Sequence, residues 1–379
     1  MRSWGRLRRC WSSGRAKTRG GGHDGRHAPT SKLRPALTDR YPRPPSHVRA
    51  LLGGIDELLV YDLAMNVRFR RVTSRDGLLL HGEFGWAEAA PFWDYDPAES
   101  STWLEGAIDA ASSPGPRLHR DAVPVNVTIP VVSAESARDR VIRSRGCATA
   151  KVKVADPGAR LEDDAERVRA VARALAETVG DEGRVRVDAN AAWTADEAIA
   201  AIELLDGAAE AVGGLQYVEQ PCASIEELAR VRRAVRAPIA ADESIRRARD
   251  PLAVAREGAA DVAVIKIAPL GGIRRALRIG EETGLRLVVS SALESSIGLQ
   301  VGVRAAASIP GEVLACGLAT ASFLASDVVA EPVRVEAGAL PLRELEPDLR
   351  LLASPVDEAL RARWIDRLDA MAVHLGERR

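Results

Sequence analysis

The stretch that decides the fold begins Thr149-Ala150-Lys151-Val152-Lys153-Val154. It recurs in kind at Val185-Arg186-Val187-Asp188-Ala189-Asn190 and Leu215-Gln216-Tyr217-Val218-Glu219-Gln220-Pro221. Each is a short run, rich in β-branched or apolar residues, that ends in charged or amide side chains. Such runs read as buried strands. Working outward, Val125–Val132 precedes them, and Pro238–Ser244, Asp261–Pro269, Arg286–Glu294 and Val313–Thr320 follow, eight in all. Between them lie segments with helical spacing: Asp163–Val179, Thr194–Leu205, Ile225–Val235 and Gly272–Thr283. A strand–helix repeat of roughly 20 to 35 residues over eight strands fits a (β/α) barrel better than an open doubly wound sheet. The open sheet would carry a Gly-rich turn after its first strand, where this chain has Ser133-Ala134-Glu135.

The flanks read differently. Leu58 to Phe69 alternates as a strand should. Thr73-Ser74-Arg75-Asp76-Gly77 reads as a turn into Leu78-Leu79-Leu80-His81, and Gly85-Trp86-Ala87-Glu88 continues the meander. Asp96 is an expected helix cap, with Pro97 in the first turn, and Ser112-Ser113-Pro114-Gly115-Pro116 breaks that helix. Strands followed by a helix imply a small α+β domain over 56–121. Part of 328–379 joins it, through strand-like Val333–Glu336 and Leu340–Leu342 and a helix near Pro355–Leu375, which leaves 122–327 for the barrel. Arg75, on the cap turn, reads either as part of a lid or as a solvated arginine.

The 379 residues carry 53 basic and 53 acidic side chains, but unevenly. Residues 1–50 hold 13 Lys/Arg against 2 Asp/Glu, and the remainder 40 against 51. An acidic body argues against nucleic acid as the partner, and no apolar run approaches the length of a membrane span. Rich in Arg, Gly, Ser and Pro with no hydrophobic period, segment 1–50 is expected to be a disordered basic extension. It lacks the apolar stretch of a secretory signal. Cys10, Cys147, Cys222 and Cys316 are widely spaced, form no metal or redox pair, and read as reduced thiols of a cytoplasmic protein.

Five consecutive strands end in polar residues: Lys151 and Lys153, Asp188 and Asn190, Glu219, Asp242, then Lys266. Residues at i and i+2 share a strand face, so Lys151 and Lys153 point the same way, as do Asp188 and Asn190. In a barrel that face is the lumen, which opens at the C-terminal mouth where active sites lie. A lone charge in a dry lumen is costly. Three converging carboxylates (Asp188, Glu219, Asp242) therefore call for a cation between them, and all-oxygen ligands favour Mg²⁺, with Mn²⁺ the alternative. Lys153 and Lys266 frame a small carboxylate substrate from two sides. Clustered cations should lower a lysine's pKa enough to make it a base for a proton α to a carboxylate.

In order and spacing, Lys-x-Lys, Asp-x-Asn, Glu-Gln-Pro, Asp-Glu-Ser and the later Lys resemble the muconate-lactonising subgroup of the enolase superfamily. Gly85–Phe92, Pro124–Pro130, Val289–Ser296 and Ala315–Thr320 resemble the o-succinylbenzoate synthases of actinobacteria within it. The resemblance implies an α/β fold, a modified (β/α)7β TIM-like barrel with an N-terminal α+β capping domain. It implies Mg²⁺ ligands Asp188, Glu219 and Asp242, a catalytic base Lys153, and Lys266 on the opposite face. Lys151, Asn190, Ser290, Ser291 and Gly317 are then expected around the substrate. The implied reaction is the dehydration of 2-succinyl-6-hydroxy-2,4-cyclohexadiene-1-carboxylate to o-succinylbenzoate in menaquinone synthesis, by a monomer or homo-oligomer. N-acylamino acid racemase is the alternative, since both lysines suit it. One departure is Ala191, where the family often has glycine.

Overall fold

The computed structural model describes residues 46–69, 72–248, 250–352 and 356–378. Segment 1–45 lies outside the described residues, and Cys10 with it. The expected extension to residue 50 is too long, because Ser46–Leu51 forms a short helix, α1, whose Val48 is fully buried in a hydrophobic cluster.

Strands β1 (Ile55–Phe69), β2 (Val72–Gly82) and β3 (Gly85–Ala89) form an antiparallel sheet in that order. The expected turn at Thr73–Gly77 is instead strand, with Ser74 to Gly77 paired to Ala64 through Tyr61. Gly77 serves a close approach rather than a reversal. A Cβ there would meet Ala90 at 2.7 Å and the Tyr61 ring at 2.9 Å. Helix α2 (Pro97–Ser112) follows, and its cap is as the residues suggest: the Asp96 carboxylate accepts from the Glu99 N–H at 2.7 Å.

The barrel begins after β4 (Ala122–Pro124). Its strands are β5 (Asn126–Ile129), β6 (Thr149–Lys153), β7 (Arg184–Asp188), β8 (Leu215–Glu219), β9 (Ile239–Ala241), β10 (Val262–Lys266) and β11 (Arg286–Ser290), all parallel and neighbours in chain order. The helices between and after them are α3 (Ala134–Ile142), α4 (Leu161–Val179), α5 (Ala195–Ala208), α6 (Ile225–Ala234), the one-turn α7 (Glu243–Arg246) and α8 (Ala253–Arg256), α9 (Ile273–Thr283) and α10 (Ser296–Ala307). The expected eighth strand, Val313–Thr320, is reduced to two parallel bridges, Val125 with Cys316 and Ser290 with Gly317. Those bridges join the last strand to the first. Asn126 N–H donates to the Cys316 carbonyl at 3.0 Å, and Gly317 N–H to that of Val289 at 2.8 Å.

Alternation sorts the barrel side chains into two layers. Val185, Val187, Val218, Ile239, Ala241, Ala263, Ile265 and Val289 face the helices in one large cluster. Tyr217, Ala240, Val262, Val264 and Val288 fill the lumen below the polar strand ends. Beyond the barrel, β12 (Ala339–Pro341) pairs antiparallel with β4. Helix α11 (Glu358–Glu377) returns to the first sheet, where Trp364, Leu368, Met371 and Leu375 pack with Leu78, Leu80, Leu104 and Ile108. Cys147, Cys222 and Cys316 are buried free thiols, and among the described residues no helix is long and apolar enough to cross a membrane.

Candidate active site

The lumen face that carries Tyr217 and Val264 also carries, one pleat higher, Glu219 and Lys266. Registers set the neighbours. Lys153 stands beside Asp188, Asp188 beside Glu219, and Lys266 beside Ser290. Asp242 follows β9 directly, two residues beyond Ala240 on the same face. All three carboxylates are almost fully buried.

Ammonium and guanidinium groups hold those carboxylates. Lys151 donates to both Glu219 oxygens at 2.9 and 3.0 Å and lies 3.1 Å from Asp188 Oδ2. Lys153 meets Asp188 Oδ2 at 2.5 Å and Asn190 Oδ1 at 2.7 Å. Lys266 meets Asp242 Oδ2 at 2.5 Å, while Arg246 Nε reaches Asp242 Oδ1 at 2.9 Å. Burial pushes the Asp188 carboxyl up, but the Lys153 and Lys151 charges prevail and hold it well below the usual range. Glu219 goes the other way. Burial and the Asp188 charge push it up to about 7, against Lys151, with Asp242 adding to the rise. Lys151 itself is held protonated, since the charges of Glu219 and Asp188 outweigh its burial.

Among the described residues, no three His, Cys, Asp or Glu side chains already converge as an ion cage. The lysines take the carboxylate oxygens instead. The donor set nevertheless fits a hard divalent cation. It offers oxygen only, from three adjacent strand ends, and the repulsion felt by Glu219 is what a cation between the three would relieve.

Local backbone conformations aim these groups. Asn190, Ala191 and Gln220 all have positive φ (47°, 64° and 41°). The Asn190 N–H donates to Asp188 Oδ1 at 3.1 Å, and the Ala191 N–H to the Gln220 carbonyl at 2.7 Å. Gln220 is the internal brace. Its Oε1 accepts from the Asp242 N–H at 2.9 Å and the Ser244 N–H at 3.2 Å, and its Nε2 donates to Ser244 Oγ at 2.6 Å. On the far side Ser291 Oγ pairs with Thr320 Oγ1 at 2.9 Å, and a Cβ on Gly317 would meet Ser290 Oγ at 2.5 Å.

One cavity at the strand ends brings together Lys151, Lys153, Asp188, Lys266, Ser290, Ser291 and Gly317 from the sequence reading. It adds Phe92, Thr128, Ala292, Leu293 and Thr320, which that reading missed. Thr128 was legible, being two residues beyond Asn126 on an inward face. Phe92 was not, since it arrives from the capping domain. Asn190 sits at the edge, on Lys153. A larger cleft of about 740 Å³, between α3 and residues 319–335, is lined by arginines, with Asp139 paired to Arg143 and Asp327 bound to Ser296, so the chemistry points to the strand ends instead.

Comparison with known proteins shows the family and the fold. Residues 133–347 match the family model "Enolase C-terminal domain-like" and residues 60–111 "Enolase N-terminal domain-like". The o-succinylbenzoate synthase of Thermobifida fusca is 48% identical over 311 residues, 82% of this chain and 94% of that protein. That of Mycolicibacterium smegmatis is 46% identical over 324 residues, 85% and 97% of the two chains. Among solved structures, the muconate cycloisomerase of Pseudomonas fluorescens superposes with a TM-score of 0.64 at 23% identity, over 79% of this chain and 98% of that one. The L-Ala-D/L-Glu epimerase of Bacillus subtilis gives 0.63 at 22%, over 77% and 96%. At those identities the structural likeness speaks for the fold alone. The sequence relatives say more: this chain belongs to the o-succinylbenzoate synthase family of the enolase superfamily.

Proposed function

We propose that this chain dehydrates 2-succinyl-6-hydroxy-2,4-cyclohexadiene-1-carboxylate to o-succinylbenzoate, with Lys153 as the base and acid and Lys266 as the facing charge. The observation that carries this reading is the meeting of both lysines with Asp188, Glu219 and Asp242 at one mouth of the barrel. Asp188, Glu219 and Asp242 would hold a divalent ion, Mg²⁺ by the hardness of the donors. An ion held there would supply positive charge against the substrate carboxylate.

Neutral Lys153 Nζ then removes the proton α to the ring carboxylate and becomes an ammonium. The electron pair of that C–H bond moves into the ring–carboxylate system as an enediolate. Lys266, fixed from β10, offers its charge to that anion and needs no proton transfer of its own. The Lys153 ammonium returns its proton to the departing hydroxyl, which leaves as water, and the ring becomes aromatic. Asn190, which accepts from Lys153 at 2.7 Å, keeps that ammonium aimed. Ser290, Ser291 and Gly317 border the side where the succinyl arm would lie.

The same two lysines also suit racemisation of an N-succinyl amino acid. The test is an assay of purified protein with Mg²⁺ on the cyclohexadiene substrate and, separately, on N-succinyl amino acids. Dehydration should be lost in Lys153→Ala, by about 10² to 10⁴-fold at the proton-transfer step alone, and lost on treatment with EDTA. Dehydration that survived EDTA would refute the assignment of the carboxylates. Racemisation surviving in Lys266→Arg would refute a two-base role for that residue.

A further inference from the structure

We propose that Arg75, a residue of the capping domain, is a positioning residue for the reaction, holding two walls of the substrate cavity in place at once. The first wall is the turn after β11. Arg75 Nε donates to the Leu293 carbonyl at 3.1 Å and Nη2 reaches that of Ala292 at 3.4 Å. The second is Phe92, whose ring lies 4.2 Å beneath the guanidinium carbon. Nη2 also donates to the Ala90 carbonyl at 2.6 Å, which fixes the arginine to its own domain. Ala292, Leu293 and Phe92 all border the cavity that holds Lys153, Asp188 and Lys266.

Three further observations separate this from ordinary packing. Arg75 is 3% exposed, so neither the lid nor the solvated role suits it. Leu293 has φ +64°, a conformation that a leucine keeps only when its surroundings impose it. Its carbonyl is the one Arg75 grips. The Ala292 N–H is in turn held by Glu294 Oε2 at 2.7 Å, so the turn is pinned from both domains. A planar fork of donors can bind carbonyls from two segments and stack on a ring. A lysine can only approximate this with a single ammonium.

The inference rests on the dehydration proposed above, and the experiment separates their failures. KM and kcat for dehydration are measured for wild type, Arg75→Met, Arg75→Lys and Glu88→Ala. Glu88 grips Ser295, at the start of α10 and outside the cavity, so its variant controls for a loosened domain contact. Arg75→Met should lose about 10²-fold in kcat/KM, most of it in KM, because the non-reacting walls move while Lys153 stays. Arg75→Lys should recover part of that loss, and Glu88→Ala should keep the wild-type KM. An active wild type whose Arg75→Lys and Arg75→Met variants kept its KM and kcat, whatever their melting temperatures, would overturn the proposal alone. If Arg75→Met does not fold, a wild-type KM in soluble Arg75→Lys overturns it equally. A wild type that fails to dehydrate would overturn both readings.

Discussion

Replacing Glu88 with glutamine should erase a slope in folding stability between about pH 4.5 and pH 7. Glu88 lies on β3, buried, and accepts from Tyr61 OH at 2.7 Å and from the Ser295 N–H at 3.0 Å, with the Ser295 hydroxyl closer still. Burial pushes its carboxyl from an ordinary 4.5 up to about 7. The Glu294 charge adds to that, while the bonds from Ser295 and Tyr61 and the charge of Arg75 oppose it. The folded protein thus binds this proton more tightly than the unfolded chain does. Its contribution is fully present below about pH 4.5, is lost as pH rises through 7, and is constant above that. From 4.5 to about 7, at roughly 1.4 kcal/mol per pH unit, the loss amounts to about 3 kcal/mol. Glutamine keeps the geometry, since its oxygen can face Ser295 while its NH2 donates to the Tyr61 oxygen. Urea unfolding of both proteins at intervals from pH 4.5 to 8 gives a difference curve in which every other titration cancels. The variant should gain about 3 kcal/mol on wild type across that range. A flat difference curve would refute the burial argument for this pair.

Three further substitutions test the scaffold. Ala191→Gly should stabilise the protein by about 1 kcal/mol in the same urea assay, because Ala191 holds φ +64° at the strand-end turn where glycine has no Cβ clash. Gly317→Ala should lower kcat/KM and cost about 1 to 3 kcal/mol of stability, since the new methyl must displace Ser290 Oγ from 2.5 Å. Arg186→Met should cost about 3 kcal/mol in chemical denaturation. Arg186 donates to Gln216 Oε1 at 2.7 Å and to the Ala315 carbonyl at 2.6 Å, and the loss leaves both half-buried acceptors unpaired.

Much of this site is written in period two, and that part was legible. Lys151 and Lys153, or Tyr217 and Glu219, share a face whatever the rest of the chain does, so residue type and spacing place them in the lumen. The turn at Thr73–Gly77 misled because Ser, Asp and Gly there carry turn chemistry. The glycine in fact admits the Tyr61 ring, a demand from another strand. Arg75 misled for the same reason, since its partners lie 15 to 218 residues away in the chain. The eighth strand shows the converse. Its residues have strand propensity, yet only Cys316 and Gly317 bridge, because closing a barrel needs just the backbone that reaches both neighbours. Lys151 carries the general point furthest. Spacing put it on the lumen face, the family resemblance implied a place beside the substrate, and it does border the cavity. Its ammonium, however, sits within 3.1 Å of both Asp188 and Glu219, so it offsets the negative charge of two carboxylates that repel each other. Residue type and register can announce such a cation. Whether it faces a ligand or a neighbouring carboxylate depends on which strands stand beside it, and that is fixed only when the barrel closes.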